Sequence, residues 1–280
     1  MSLTTRLKNV IGFGKTGWHI LCRDPRILLP FLCIVLFQYA TLLTLFFAPR
    51  PPFSIVLAPV IRAFWGDQFL HYPYNFLLLP QLYNYAKNII DITFGVFFIG
   101  IAVSMITQSY NNARPEWALG IQKTAKRLIR LILLWLITIA VIVGILKFIH
   151  LFSQSFISSI KVQLFLDFLA GTLVQVVFAF AIPAVIIENR KLLIALKRTT
   201  ALCKNYPLET LLIVGIPSML FLPLLFIDFV SLMKRFVPEI TLYILTFKIV
   251  AVVTIDLMIT IGITLLFLKN KEREDAAVLS

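Results

Sequence analysis

Six long apolar runs dominate the chain, and each approaches or exceeds the roughly 20 residues that an α-helix needs to cross a bilayer. They lie at about Ile27 to Phe47, Ile89 to Ile106, Leu128 to Phe148, Leu164 to Ile187, Leu211 to Val230 and Leu242 to Leu268. Hydrocarbon offers backbone N–H and C=O groups no water, so runs of this kind fold as helices that satisfy their own hydrogen bonds. Composition agrees: 60% of the 280 residues are hydrophobic and 14% charged, against roughly 25% charged in a soluble domain. With a mean hydropathy of +0.93, disorder is excluded and an ordinary soluble domain is not expected. The reading is an all-α polytopic membrane protein, a single transmembrane domain over residues 1–268 with a charged tail at 269–280.

The formal charge is +13, which in a soluble protein would suggest nucleic acid. Here the placement of the charge explains it without a nucleic-acid partner. Basic residues gather before the first run (Arg6, Lys8, Lys15, Arg23, Arg26), between the second and third (Arg114, Lys123, Lys126, Arg127, Arg130), between the fourth and fifth (Arg190, Lys191, Lys197, Arg198, Lys204) and after the sixth (Lys269, Lys271, Arg273). Short loops rich in Lys and Arg stay on the cytoplasmic side, so both termini are expected there, in a plasma (inner) membrane. No small-residue cleavage site precedes the first run, which is expected to be kept as an anchor.

Each odd-numbered run is preceded by a segment of helical period with a basic face, the form of a helix lying in the membrane surface. The first sets Leu7, Val10, Ile11, Gly14, Gly17, Trp18 and Leu21 apart from Lys8, Lys15 and Arg23. The second opposes Trp117, Ile121, Ala125 and Leu128 to Lys123, Lys126, Arg127 and Arg130. The third opposes Leu192, Ala195, Leu196, Thr199, Leu202, Cys203 and Tyr206 to Arg190, Lys191, Lys197, Arg198 and Lys204. Three tandem units are expected, about 1–110, 111–187 and 188–268, each an amphipathic helix followed by a transmembrane hairpin. Leu21-Cys22-Arg23-Asp24 matches Leu202-Cys203-Lys204-Asn205, and Asp91-Ile-Thr-Phe-Gly95 matches Asp167-Phe-Leu-Ala-Gly171.

The stretch from Trp18 through Pro25 to Pro30 resembles the entry to the first span in a group of bacterial six-span proteins. Ile182-Pro183-Ala-Val-Ile-Ile-Glu188, followed by Ala195-Leu-Lys-Arg-Thr-Thr-Ala-Leu, is similar to the proline, apolar run, glutamate and surface helix that leave their fourth span. The group contains YciC-like proteins and the membrane part of some glycerophosphodiester phosphodiesterases. The resemblance covers nearly the whole chain. It implies the six-span architecture and contact with lipid metabolism, and it supplies no catalytic residue.

Ionisable groups inside the bilayer cost roughly 2.5 to 3.5 kcal/mol each on the insertion scale, which makes them functional candidates. Asp91, Asp167 and Lys248 fall at similar depth toward the outer leaflet, with Asp256 two turns farther in. One reading gathers them into a polar cluster between hairpins. The other leaves Asp91 and Asp167 wet at the interface. Asp228 is read as interfacial. Arg23, Lys123, Lys126, Arg127, Arg130, Lys197, Arg198 and Lys204 are candidate contacts for anionic lipid or a membrane protein partner. Phe64, Trp65, Tyr72 and Tyr74, in the segment from Pro51 to Pro80, are candidate outer interfacial contacts. Pro183, Pro217 and Pro223 interrupt spans four and five, as carriers do at substrate sites and as plain kinks do elsewhere. Cys22, Cys33 and Cys203 form no CxxC pair and three scattered histidines form no metal motif. No catalytic or cofactor motif is legible, so no cofactor is expected. Two functions remain open: a non-enzymatic lipid- or partner-binding component of envelope assembly or lipid handling, and a transporter that uses the intramembrane Asp and Lys residues.

Overall fold

The computed structural model describes residues 3–153, 160–223 and 238–279. Every regular element among them is helical. Five helices are long and apolar enough to cross a membrane: Pro25–Phe46, Tyr74–Tyr110, Leu128–Leu151, Val162–Ile186 and Ile240–Ala277. The expected fifth run is described only in its first part, as a helix over Pro207–Met219. Its remainder, with Asp228, lies outside the described residues, as does most of the segment around Phe156.

A surface helix, α1 (Leu3–Arg23), leads through Pro25 into α2 (Leu29–Phe46). The segment from Pro51 to Pro80 makes α3 (Phe53–Trp65), then enters α4 (Tyr74–Ile90), which continues through one π-turn at Asp91–Gly95 into α5 (Val96–Tyr110). The second apolar run is therefore part of a 37-residue helix, about 55 Å long and well beyond the ~30 Å hydrocarbon core. Lys87 and Asp91 interrupt the apolar character of this helix in sequence. In space they are one turn apart and neutralise each other, so the helix passes straight through them.

After α6 (Trp117–Ala125) come α7 (Leu128–Ser153), α8 (Ile160–Phe178), α9 (Ala181–Ile186), α10 (Leu192–Asn205), α11 (Pro207–Met219) and α12 (Ile240–Leu279). Pro183 has no N–H to give the carbonyl four residues back, and the fourth span is interrupted at Ala179–Phe180, between α8 and α9. The charge run Lys269 to Asp275, in the segment read as a charged tail, continues α12. Asn270 is buried and donates to Glu274 at 2.9 Å.

The helices α2, α4–α5 and α12 pack on one another at the centre, with α11 beside α12 and α8. Their core holds Ile34, Ile101, Met105, Phe180, Val214, Ile263 and Phe267. The surface helices dock by close approach. On α5 and α6, a Cβ at Gly100 would stand 2.6 Å from Thr124 Cγ2, and one at Gly120 would stand 3.0 Å from Ile101 Cγ2. On α1, a Cβ at Gly17 would stand 2.7 Å from Ile261 of α12. Backbones come this near only where side chains are absent. The amphipathic face of α1 is accordingly split: Phe13, Gly17 and Ile20 are buried, while Ile11 and Trp18 are exposed. The opposite arrangement holds for α7, which packs on α8 and parts of α5 and α9 and has only 11% of its apolar window buried.

Candidate functional site

Mid-way along the central helices, a polar cluster is enclosed by apolar layers. Gln38 of α2 is 2% exposed and donates from Nε2 to Asp91 Oδ1 at 2.8 Å. The Tyr83 hydroxyl donates to Gln38 Oε1 at 3.4 Å. The Lys87 ammonium pairs with the other Asp91 oxygen. Asp256 of α12 lies beside this group, lining a cleft together with Val96, the residue that follows the π-turn. Leu42, Leu79, Leu245 and Ile249 close the cluster on the side away from the basic end. Asp91 is also the first residue of the π-turn, where one extra residue re-aims the side chains of a helix.

Of the four residues read from sequence, Asp91 belongs to this cluster and Asp256 lines the cleft beside it. The other two lie elsewhere. Asp167, near the start of α8, meets His150 of α7 at 3.3 Å, and the Gln163 amide nitrogen lies 2.6 Å from His150 Nδ1. That contact suits the tautomer whose Nε2–H points to Asp167. Lys248 is half-buried on α12, about 12 Å along the helix from Asp256. Gln38, Tyr83 and Lys87 escaped the sequence reading. A signal existed for each: Gln38 is the polar residue inside an otherwise apolar span, and Tyr83, Lys87 and Asp91 follow one another at the four-residue spacing of a single helix face.

Asp256 also faces a cleft. Its walls are Val96, Ile99 and Val103 of α5, Leu134, Trp135 and Thr138 of α7, Phe178 and Pro183 of the broken fourth span, and Ile259, Thr260, Ile263 and Thr264 of α12. The volume is about 340 Å³, within the usual range for a small-molecule site, roughly 300 to 1,000 Å³. The cleft exists because α7 leans on α8 and leaves α12 uncovered between Asp256 and Thr264. Gln175, exposed on α8, stands at its rim. Among the described residues, no group of three or more His, Cys, Asp or Glu could hold a metal ion.

At the basic end, four of the candidate lipid contacts turn inward. Arg23 reaches the Ser109 carbonyl at the end of α5, its hydroxyl at 2.8 Å, and Asn112 Oδ1 at 3.0 Å. Arg127 reaches the Ile186 carbonyl at the end of α9, and Asn189 Oδ1 at 3.1 Å. Arg130 joins it on Asn189. Asn112 and Asn189 have φ of 57° and 54°, the left-handed cap that asparagine tolerates. Burial, with the neighbouring Arg130 charge, holds the Arg127 guanidinium below its ordinary pKa. Arg198 of α10 pairs with Glu274 of α12 and with Glu188. Lys126, Lys197 and Lys204 are exposed and Lys123 half-buried, and none of them takes part in these contacts.

At the other end, α3 exposes Ile55, Val56, Val60 and Phe64, spaced as one helical stripe. Trp65 packs against Phe64 and Tyr85, while Tyr72 and Tyr74 remain exposed. Arg62 donates to Asp67 at 2.6 Å and holds its carboxyl below the usual range. No protein-family model, curated protein or solved structure matches the chain.

Proposed function

We propose that this chain is a non-enzymatic integral membrane protein that binds a lipid-like amphiphile in the cleft beside Asp256 and serves envelope assembly or lipid handling. The observation that carries the reading is the cleft itself: an apolar trench inside the span region, with the Asp256 carboxylate in its wall. A cavity that served only packing would not end on such a group, because an ionisable residue at this depth is costly to keep.

The rest of the proposal concerns placement. The chain is a six-span protein of a bacterial inner membrane, related to the YciC-like group, with the fifth span completed beyond Met219 and both termini in the cytoplasm. Lys123, Lys126, Lys197 and Lys204 then face the anionic inner leaflet. The stripe Ile55, Val56, Val60 and Phe64, with Tyr72 and Tyr74, lies in the outer interface.

The test is to isolate the protein in native-membrane nanodiscs and identify bound lipid and protein by mass spectrometry. A selectively enriched amphiphile that Ala179→Phe removes supports the proposal, since Ala179 lines the cleft. Recovery with bulk lipid alone opposes it. A carrier is the second reading, favoured by the Lys87–Asp91 pair with Asp256 beside it. It requires Asp256→Asn to abolish uptake in a folded protein.

A further inference from the structure

The charges around the cleft select the head group of what enters it. Among the described residues, Lys87 and Asp91 form an ion pair with each other. Gln38 donates to Asp91, and Tyr83 donates to Gln38 rather than to Asp256. The cluster thus directs its donors at its own acceptors, and the Asp256 carboxylate lines the cleft. The cleft walls add the hydroxyls of Thr138, Thr260 and Thr264 and the Gln175 amide. Thr138 and Thr264 direct theirs at carbonyls of their own helices, Leu134 and Thr260. The walls thus supply one dominant polar feature, an acceptor carrying negative charge.

Position restricts the ligand further. From Asp256 the cleft runs to Thr264, about 12 Å along α12 toward the basic end. Asp256 lies in the middle of α12, far from either end of that helix. A two-chain phospholipid keeps its charged head at the interface, so it cannot bring that head to this carboxylate while its chains fill the trench. A single-chain amphiphile can. We propose that the ligand of the cleft is a single-chain amphiphile with a cationic head, a long-chain amine, whose ammonium sits on Asp256 and whose chain lies along Ile259, Ile263, Leu134 and Trp135. An ammonium at Asp256 pairs the carboxylate of the cleft, which is the condition for keeping charge in a low dielectric. This inference rests on the cleft being a ligand site, as proposed above.

Trp135 on the cleft wall provides the readout. In protein carrying Trp18→Phe, Trp65→Phe and Trp117→Phe, Trp135 is the remaining tryptophan. The protein is reconstituted in phosphatidylcholine bilayers at neutral pH and titrated with ω-bromododecylamine, ω-bromododecanol or ω-bromododecanoate, bromine being a contact quencher. The amine is expected to quench at a mole fraction about tenfold lower than the alcohol, the gain of a charge-assisted over a neutral hydrogen bond. The carboxylate should be weaker than both, and unbrominated dodecylamine should restore the emission. Asp256→Asn should bring amine and alcohol together. Ala179→Phe, which leaves the carboxylate in place and fills the trench, should remove quenching by all three.

Equal quenching by the three probes, or an amine preference that survives Asp256→Asn in protein eluting as the wild type does, overturns the head-group assignment and leaves the cleft as a general chain site. If no probe quenches Trp135 beyond the level set by brominated phosphatidylcholine alone, the cleft holds no ligand chain, and the functional proposal falls with the inference.

Discussion

Lys87 and Asp91 sit one helical turn apart with about a quarter of each side chain exposed, and their meaning depends on each other. Alone, either charge would end the span; together they permit a continuous helix and give Gln38 an acceptor. Lys87→Met should therefore destabilise the protein by about 2 kcal/mol, less than the 3 to 5 kcal/mol of a fully buried pair because both side chains are only partly buried. Adding Asp91→Asn should cost less than the two single changes combined, with a coupling of about 1 kcal/mol. Denaturation in mixed micelles measures both, and additive losses would show that the pair is not formed. Gln38→Leu removes a buried hydrogen bond to a charged group and should cost about 1.5 to 3 kcal/mol. At this scale the sequence was informative about which residues are expensive and poor at pairing them. It marked Asp91, Asp256 and Lys248 but passed over Lys87, which pairs with Asp91. The four-residue spacing of that pair was there to be read; that Gln38 of another helix donates to Asp91 depends on which helix faces which, and no spacing within one helix contains that.

Among elements, the same device recurs at the basic end. Arg23 from α1 holds the end of α5, Arg127 from just after α6 holds the end of α9, and Arg198 from α10 holds Glu274 near the end of α12. In each case a surface helix clamps the second long helix of the unit it introduces. A cation at a helix C-terminus also meets the negative end of the helix dipole. Arg127→Ala should speed amide exchange over residues 184–190 while leaving the opposite end of α8 unchanged. Arg127→Lys should recover little, because one ammonium cannot span the Ile186 carbonyl and Asn189 as the planar fork does. Exchange unaffected in both variants would mean that the clamp is not formed. The α5–α6 crossing offers a packing test. Gly100→Ala should cost about 1 to 3 kcal/mol, because its Cβ meets Thr124 and Leu131 and overpacking is penalised on that scale. Gly144→Ala, with open space around it, should be neutral or slightly stabilising through helix propensity. That α1, α6 and α10 are helices was legible in the periodicity. Docking of those helices onto the long ones, rather than onto lipid alone, was not, because Gly17, Gly100 and Gly120 look like weak helix positions until a neighbour is seen against them.

For the whole molecule, the distribution of charge makes a topological prediction. In a chain with Cys22, Cys33 and Cys203 replaced by serine, Gln68→Cys should react with a membrane-impermeant maleimide in intact cells. Lys126→Cys should react only after permeabilisation, and labelling of both from one side would refute the proposed orientation. The sequence by itself determined that the chain is helical, where most of its long apolar helices lie, and that its positive charge gathers at one end. Each follows from local physics: hydrocarbon forces the backbone to bond within a segment, and Lys and Arg clusters are read directly from chain order. Only the tertiary structure decided that Gln38 meets Asp91, that four arginines reach acceptors on neighbouring segments while the neighbouring lysines do not, and that α7 leans away to open a cleft on Asp256. Those outcomes depend on relative rotation and tilt of helices that are apolar on every side, where the side-chain pattern of a single helix favours no particular neighbour and close packing makes the choice.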